Sequence, residues 1–419
     1  MKLEHFHNAT CIVTSRGGVR VLCDPWFTDG AFEGSWALAH AVHRVPAFER
    51  DFDAIYVSHI HPDHCDEVWM RDLPRSTPLI VPAETVFPIL VPNLRGAGFD
   101  NIEALADRDS TTIGDLTITL FEPFQGNPFD ASAALPNFLD SAALFDDGHH
   151  RFLNTNDNLP TVEALRRVED EFGVPDVTTL RYNSAGFYPQ CVLDLDHDAK
   201  RAERDVVLEK AFARCLELGR ASRSPLIMPF AGDYALGGRL SRLNEYLPVS
   251  TPHVAADFLN RNGRPAVALG TGGEFSFDDM AVTTVGDPYT EQSSAARGAG
   301  LPLTYRYELD PAPELDALRA DIAQAATKLR AKQEKLGNFP EYRVRFLTPD
   351  DQHIATIDVS KDGPAHTVEC LLDARLLAGI VHRRYHWDNA QIGCHISFRR
   401  SNHPEYSSDL HYILGLLHL

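Results

Sequence analysis

Six residues constrain this chain more than any others: His59-Ile60-His61-Pro62-Asp63-His64, set directly after the apolar run Asp53-Ala54-Ile55-Tyr56-Val57-Ser58. The run reads as a buried strand. Side chains two apart on an extended segment point the same way, so His59 and His61 aim two imidazoles at one place. Asp63 and His64 emerge from the following turn toward a neighbouring place. Histidine is intermediate in burial and seldom clusters without a ligand, so the segment reads as a loop holding two nearby metals. In layered α/β proteins such sites lie where strands end.

The rest of the chain supplies the layers. Cys11 to Thr14 and Val19 to Cys23 are β-branched runs on either side of Arg16-Gly17-Gly18 and read as a hairpin, which Asp24-Pro25 stops. Leu79 to Val81, Leu116 to Phe121 and Ala142 to Phe145 are further strands, and Asp146-Asp147-Gly148 turns the last of them into Phe152-Leu153-Asn154. Residues 161–172 and 201–218 have helical periodicity. This order predicts two sheets sandwiched between helices. Residues 285–312, rich in Gly, Pro, Ser and Thr, read as a linker or long loop after a catalytic domain over 1–284. Beyond it, 313–335 reads as one charged amphipathic helix, and 342–347, 353–359 and 367–371 alternate as strands. Residues 313–419 are therefore expected to form a small α+β unit.

With 59 acidic against 39 basic residues the net charge is −20. That argues against a nucleic-acid or anionic-membrane partner, because phosphate binding needs a basic face. The expected partner is a small-molecule substrate, with a homo-oligomer left open. The N-terminus has no basic stretch followed by an apolar run, and no segment approaches the apolar length of a membrane span. Seven scattered cysteines without a C-x-x-C pair fit reduced thiols, so the cytoplasm is the expected location.

The H-x-H-x-D-H pattern resembles the signature of the metallo-β-lactamase superfamily. The resemblance implies the αββα sandwich of that family with a C-terminal α+β extension, and one or two divalent metal ions. By the same resemblance His59 and His61 serve the first metal, Asp63 and His64 the second, and a later aspartate bridges both. Asp157, in Asn154-Thr155-Asn156-Asp157-Asn158, follows a hairpin strand at the expected place in the chain. Asp24 resembles the family's carboxylate that orients a ligand histidine through its other ring nitrogen. Two further family histidines have no counterpart. The segment from Phe121 to Asn127 holds none, and Pro229-Phe230-Ala231-Gly232-Asp233 offers Asp233, with His253 as the alternative. Replacing imidazole by oxygen donors moves the preference from zinc toward iron or manganese, and leaves the metal open among the three.

Several blocks in order resemble the metallo-β-lactamase-like part of CMP-N-acetylneuraminate hydroxylases: Cys23-Asp24-Pro25-Trp26-Phe27, Ala31-Phe32-Glu33-Gly34-Ser35-Trp36, Ser184-Ala185-Gly186-Phe187-Tyr188-Pro189, and the tail Trp387-Asp388-Asn389 with Pro404-Glu405-Tyr406. UlaG-type lactonases share the earlier blocks. The two Cys-x-His pairs of a Rieske cluster have no counterpart in the sequence.

Two reaction classes follow. Hydrolysis is the leading expectation: a metal-activated water attacks an ester, lactone, amide or phosphodiester, positioned by Asp63 or Asp157, with Tyr188 or Asp233 protonating the leaving group. The alternative is an iron-dependent oxygenase that hydroxylates or N-oxygenates an amino-sugar, nucleotide-sugar or amino-acid-derived substrate, with electrons from a donor protein or from the substrate. A metal-binding scaffold without chemistry is the third reading. For substrate binding, Arg181 is placed to clamp a carboxylate or phosphate, and Trp26 and Trp36 to line an apolar or sugar-stacking wall. The tail, with Arg383, Arg384, Arg399 and Arg400, is a candidate lid, substrate-binding or dimerisation unit.

Overall fold

The computed structural model describes residues 1–84, 88–124, 139–401 and 408–419. Its centre is a pair of sheets. One has eight strands, in the order Ala281–Thr284, Glu274–Ser276, Lys2–His7, Thr10–Thr14, Arg20–Cys23, Ala54–Tyr56, Leu79–Pro82 and Ile102–Leu105. The other has six: Leu226–Phe230, Val177–Arg181, Arg151–Asn154, Ala142–Asp146, Leu116–Phe121 and Ser110–Ile113.

Alternation along the strands builds the layers, because neighbouring side chains leave opposite faces. On strand Ala142–Asp146, Ala143 and Phe145 point inward and pack with Tyr56, Val21 and Phe152 between the sheets. Ala142 and Leu144 point outward and pack with Leu165 and Val168 of helix Val162–Phe172. The eight-stranded sheet does the same: Ile12, Leu22 and Ile55 face Met70, Leu90 and Leu94 on its helical side. Fully burying a side chain of the size of Phe145 contributes about 1.5–3 kcal/mol. The result is helix, sheet, sheet, helix, as the sequence pattern predicts.

Two expectations change. Strand Lys2–His7 lies inside the eight-stranded sheet, between Thr10–Thr14 and Glu274–Ser276, although its polar sequence carries little strand signal. Residues 285–312 are also no free linker. They contain helix Glu291–Gly300, whose Arg297 donates to both carboxylate oxygens of Asp29 at 2.8 Å and to the Leu38 carbonyl at 2.7 Å. Tyr305 and Tyr307, just beyond, are buried.

The C-terminal unit is a four-stranded sheet in the order His353–Asp358, Tyr342–Leu347, His366–Leu371 and Ser397–Ser401, covered by helix Leu315–Leu336 and three shorter helices. Its core is continuous with the sandwich: Val344, Phe346 and Trp387 belong to one buried cluster with Trp36, Phe187 and Tyr234. Pro404, Glu405 and Tyr406 lie outside the described residues. Among the described residues no helix is long and apolar enough to cross a membrane, and all seven cysteines are buried and unpaired.

Candidate metal centre

The three histidines converge at one end of the sandwich. Strand Ala54–Tyr56 runs into Ser58 and His59, and the next turn is closed by His64 N–H and Cys65 N–H, both donating to the His61 carbonyl at 2.9 Å. His59 and His64 are fully buried, with ring centroids 4.2 Å apart. His59 Nε2 lies 2.9 Å from His61 Nδ1.

The six-stranded sheet delivers carboxylates to the same point. Asp157 follows strand Arg151–Asn154 and places an oxygen 3.6 Å from His64 Nε2. Asp140 precedes strand Ala142–Asp146 and places one 3.5 Å from His59 Nε2. Ser141 fixes that approach by bridging the sheets: its hydroxyl donates to the Ser58 carbonyl at 2.8 Å and lies 2.9 Å from the Tyr56 hydroxyl. Asp63 comes from the loop itself, 3.4 Å from His64 Nε2, and accepts a hydrogen bond from Asn8 Nδ2 at 3.1 Å.

Each imidazole is also held from behind. Asp24 lies 3.1 Å from His64 Nδ1 and accepts from the Ser58 hydroxyl at 2.9 Å, while that hydroxyl is 2.9 Å from His59 Nδ1. One buried carboxylate thus orients two rings. The third ring is oriented from the far end of the sequence, by Asp388 of helix Trp387–Ile392, 3.1 Å from His61 Nε2.

The electrostatics ask for a cation. Burial, and then the Asp157 carboxylate, push Asp140 up to about 6. Burial opposes a proton on His61 as well, yet the hydrogen bond and charge of Asp388, with Asp140 and Asp63, raise it to about 9. His64 is raised well above the usual histidine value by Asp63, Asp24 and Asp157 in spite of its burial. His59, with no such compensation, is driven well down by burial and by its two histidine neighbours.

The donor atoms of His59, His61 and Asp140 lie within 4.8 Å of one another, and so do those of His59, His64 and Asp157. His64 Nε2 is buried with no hydrogen-bond partner among the described residues. A buried ring nitrogen without a hydrogen bond, surrounded by carboxylates, fits a metal site better than a packed core.

Asp140 was not among the residues expected at the site. The antiparallel pairing of Ala142 with Phe121 explains why. A ligand sought after strand Leu116–Phe121 is supplied instead before its neighbour, at the same sheet end. Asp388 was quoted only as part of a tail block, 327 residues from His61.

Other expected residues go elsewhere. Asp233 follows strand Leu226–Phe230, and strand Val177–Arg181 separates that strand from the one leading to Asp157. It accepts a hydrogen bond from the Tyr289 hydroxyl and lies 3.8 Å from His7 Nε2, in neither donor group. His253 sits on helix Pro252–Arg261, near His5, Asp257 and Asp233. The Tyr188 hydroxyl donates to Glu203 at 2.7 Å and faces the long helix His197–Ala221. Trp36 stacks on Tyr234 at 3.4 Å inside the core, and Trp26, although buried, is at the wall of a cavity beside His61. Arg181 does stand by the cluster: its charge acts on His59, Asp140 and Asp157, and its guanidinium makes no hydrogen bond or ion pair with a described residue.

Residues 2–130 match the family model of the Beta-lactamase superfamily domain. The chain is 26% identical over 236 residues to a protein of Mycolicibacterium smegmatis named as a Rieske 2Fe-2S iron-sulfur protein, across 55% of this chain and 43% of that one. It therefore spans less than half the length of that relative. Among solved structures it is similar to a possible metal-dependent hydrolase from Veillonella parvula, at 15% identity over 66% of this chain and 98% of that one, TM-score 0.46. It is also similar to CmlA, a diiron beta-hydroxylase from Streptomyces venezuelae, at 17% identity over 64% and 53%, TM-score 0.40. The match over residues 2–130 takes in the His-x-His-x-Asp-His loop, and the two face-to-face sheets between helices are consistent with a metallo-β-lactamase fold.

Proposed function

We propose that this chain is an iron-dependent oxygenase that hydroxylates or N-oxygenates a small substrate derived from an amino sugar, nucleotide sugar or amino acid. The observation that carries this reading is the donor set. Two imidazoles and one carboxylate, as in His59, His61 and Asp140, are the ligands typical of non-haem iron oxygenases. A closed set of imidazoles would suit zinc better. The sequence relative named as a Rieske iron-sulfur protein supports a redox role, since such clusters carry electrons.

In this reading His59, His61 and Asp140 hold one metal, and Asp63, His64 and Asp157 the second. Iron held by these residues would supply the redox capacity for dioxygen chemistry, with electrons from a separate donor protein. The chain's own residues do the rest. Asp24 and Asp388 fix the ring orientations, Ser141 locks the two sheets at the site, and Arg181 clamps a substrate carboxylate or phosphate beside Asp140. Burial of His59 and His64 keeps bulk water from the donor atoms.

Hydrolysis is the second reading, favoured by the Beta-lactamase superfamily match and by Asp63 and Asp157, two carboxylates positioned to hold an attacking water beside His64. Metal analysis of the purified protein, with absorption spectra in air and anaerobically after reduction, separates the two. Bound iron with an oxygen-dependent spectral change supports the oxygenase. Zinc or manganese, without oxygen-sensitive absorbance, would replace it with the hydrolase.

A further inference from the structure

A cavity of about 580 Å³ opens beside His61. One side is the metal loop and the segment around Glu33; the other is the C-terminal unit, through Arg306, Arg383, Arg384 and Asp388. That is the volume of a small-molecule site. Four acids are among its described wall residues: Asp66 accepts from the N–H groups of Phe27, Thr28, Val68 and Trp69, Asp388 lies against His61, and Glu67 is exposed near Glu33. Glu33 faces the charge of Arg306. Arg384 is paired with Asp310 at 3.2 Å.

Arg383 is left over. It is exposed, and its guanidinium makes no hydrogen bond or ion pair with a described residue. Burial first, then positive neighbours that include Arg383, push Lys332 and His418 down from their usual values, and Lys332 Nζ lies 2.8 Å from His418 Nε2. The backbone makes the placement costlier still. Arg383 has φ +60°, just past helix Ala374–Val381, where glycine would avoid a penalty of roughly 1 kcal/mol. What singles Arg383 out is its place: an exposed guanidinium near Lys332 and His418, on the wall of a cavity that also reaches His61.

We infer that the substrate is an oxyanion, a phosphate ester or a carboxylate, whose anionic group seats on Arg383 and Arg306 at the C-terminal wall while its reactive part extends past Asp388 to His61. The inference rests on the metal-centre reading for the reactive end only; the anion seat stands by itself.

The test is calorimetric titration of the purified, metal-loaded protein with inorganic pyrophosphate and, separately, succinate. Arg383→Gly removes the charge and suits the backbone, so folding is not at risk. At least one anion is expected to bind, with affinity falling roughly tenfold or more in Arg383→Gly and in Arg306→Ala. Binding is expected to persist in His59→Ala and in chelator-treated wild type, which remain informative if either single change disturbs the fold. Preference for pyrophosphate identifies a phosphate ester, preference for succinate a carboxylate. No binding of either anion, binding indifferent to Arg383→Gly, or binding lost on removing the metal would overturn the inference. An intact anion seat in a protein that holds no metal would instead sink the proposed function alone.

Discussion

Asp140 decides more about the chemistry than any single histidine. A carboxylate there makes the first donor group two nitrogens and one oxygen; an imidazole would make it three nitrogens. Under the proposed iron assignment, Asp140→His is therefore expected to move the metal preference toward zinc, read by metal analysis of protein made in the same medium. Unchanged iron content would show that Asp140 does not choose the metal. Other buried histidines govern stability rather than chemistry. Burial holds His7 and His395 down to about 4, whereas both titrate near 6.5 when unfolded. Between those values the unfolded chain binds more protons, so stability falls as pH falls from 6.5 to 4, by roughly 3 kcal/mol for each group. Urea unfolding at pH 7 and pH 4.5 measures the loss, and His395→Gln should flatten it. A slope identical in wild type and variant would count against the assignment.

At the scale of elements, the sandwich was legible because buried strands alternate. Leu116–Phe121 and Tyr342–Leu347 fall where the pattern puts them, and the histidine loop announces its own strand. Lys2–His7 was hidden because Lys2, Glu4 and two histidines dilute its apolar positions, although Leu3 and Phe6 are fully buried. The candidate site was legible where its residues are neighbours in sequence, and at Asp24 and Asp157, which follow strands and which the structure places beside His64. It was illegible at Asp140, because which end of a hairpin faces the loop is a matter of pairing, not of composition. Ser141 shows how pairing becomes chemistry. Its hydroxyl ties the two sheets beside the donors, so Ser141→Ala is expected to cost about 1 kcal/mol and to weaken metal binding as well. Equilibrium dialysis against a metal buffer tests the second effect, and full retention of metal would reduce Ser141 to a stabilising role.

At the scale of the whole molecule, two units that read as separate in sequence share one core and one site. Trp36 and Trp26, which look in sequence like a sugar-stacking wall, are used in that shared core because the C-terminal sheet needs aromatic surface to pack against. Asp388 carries the coupling into the metal centre. Asp388→Ala is expected to lower metal affinity by about 10- to 100-fold through loss of His61 orientation, with little change in melting temperature, since the residue is half-exposed. Wild-type affinity in that variant would reduce the contact to a surface ion pair. The 327-residue separation between His61 and Asp388 also has a temporal meaning. A ribosome has made every imidazole and aspartate of the cluster long before it makes the residue that aims His61. The proposed metal centre thus reaches the ring orientation seen here only once residues 387–392 have been made and have docked on the histidine loop, so an ion offered earlier would meet a looser set of donors.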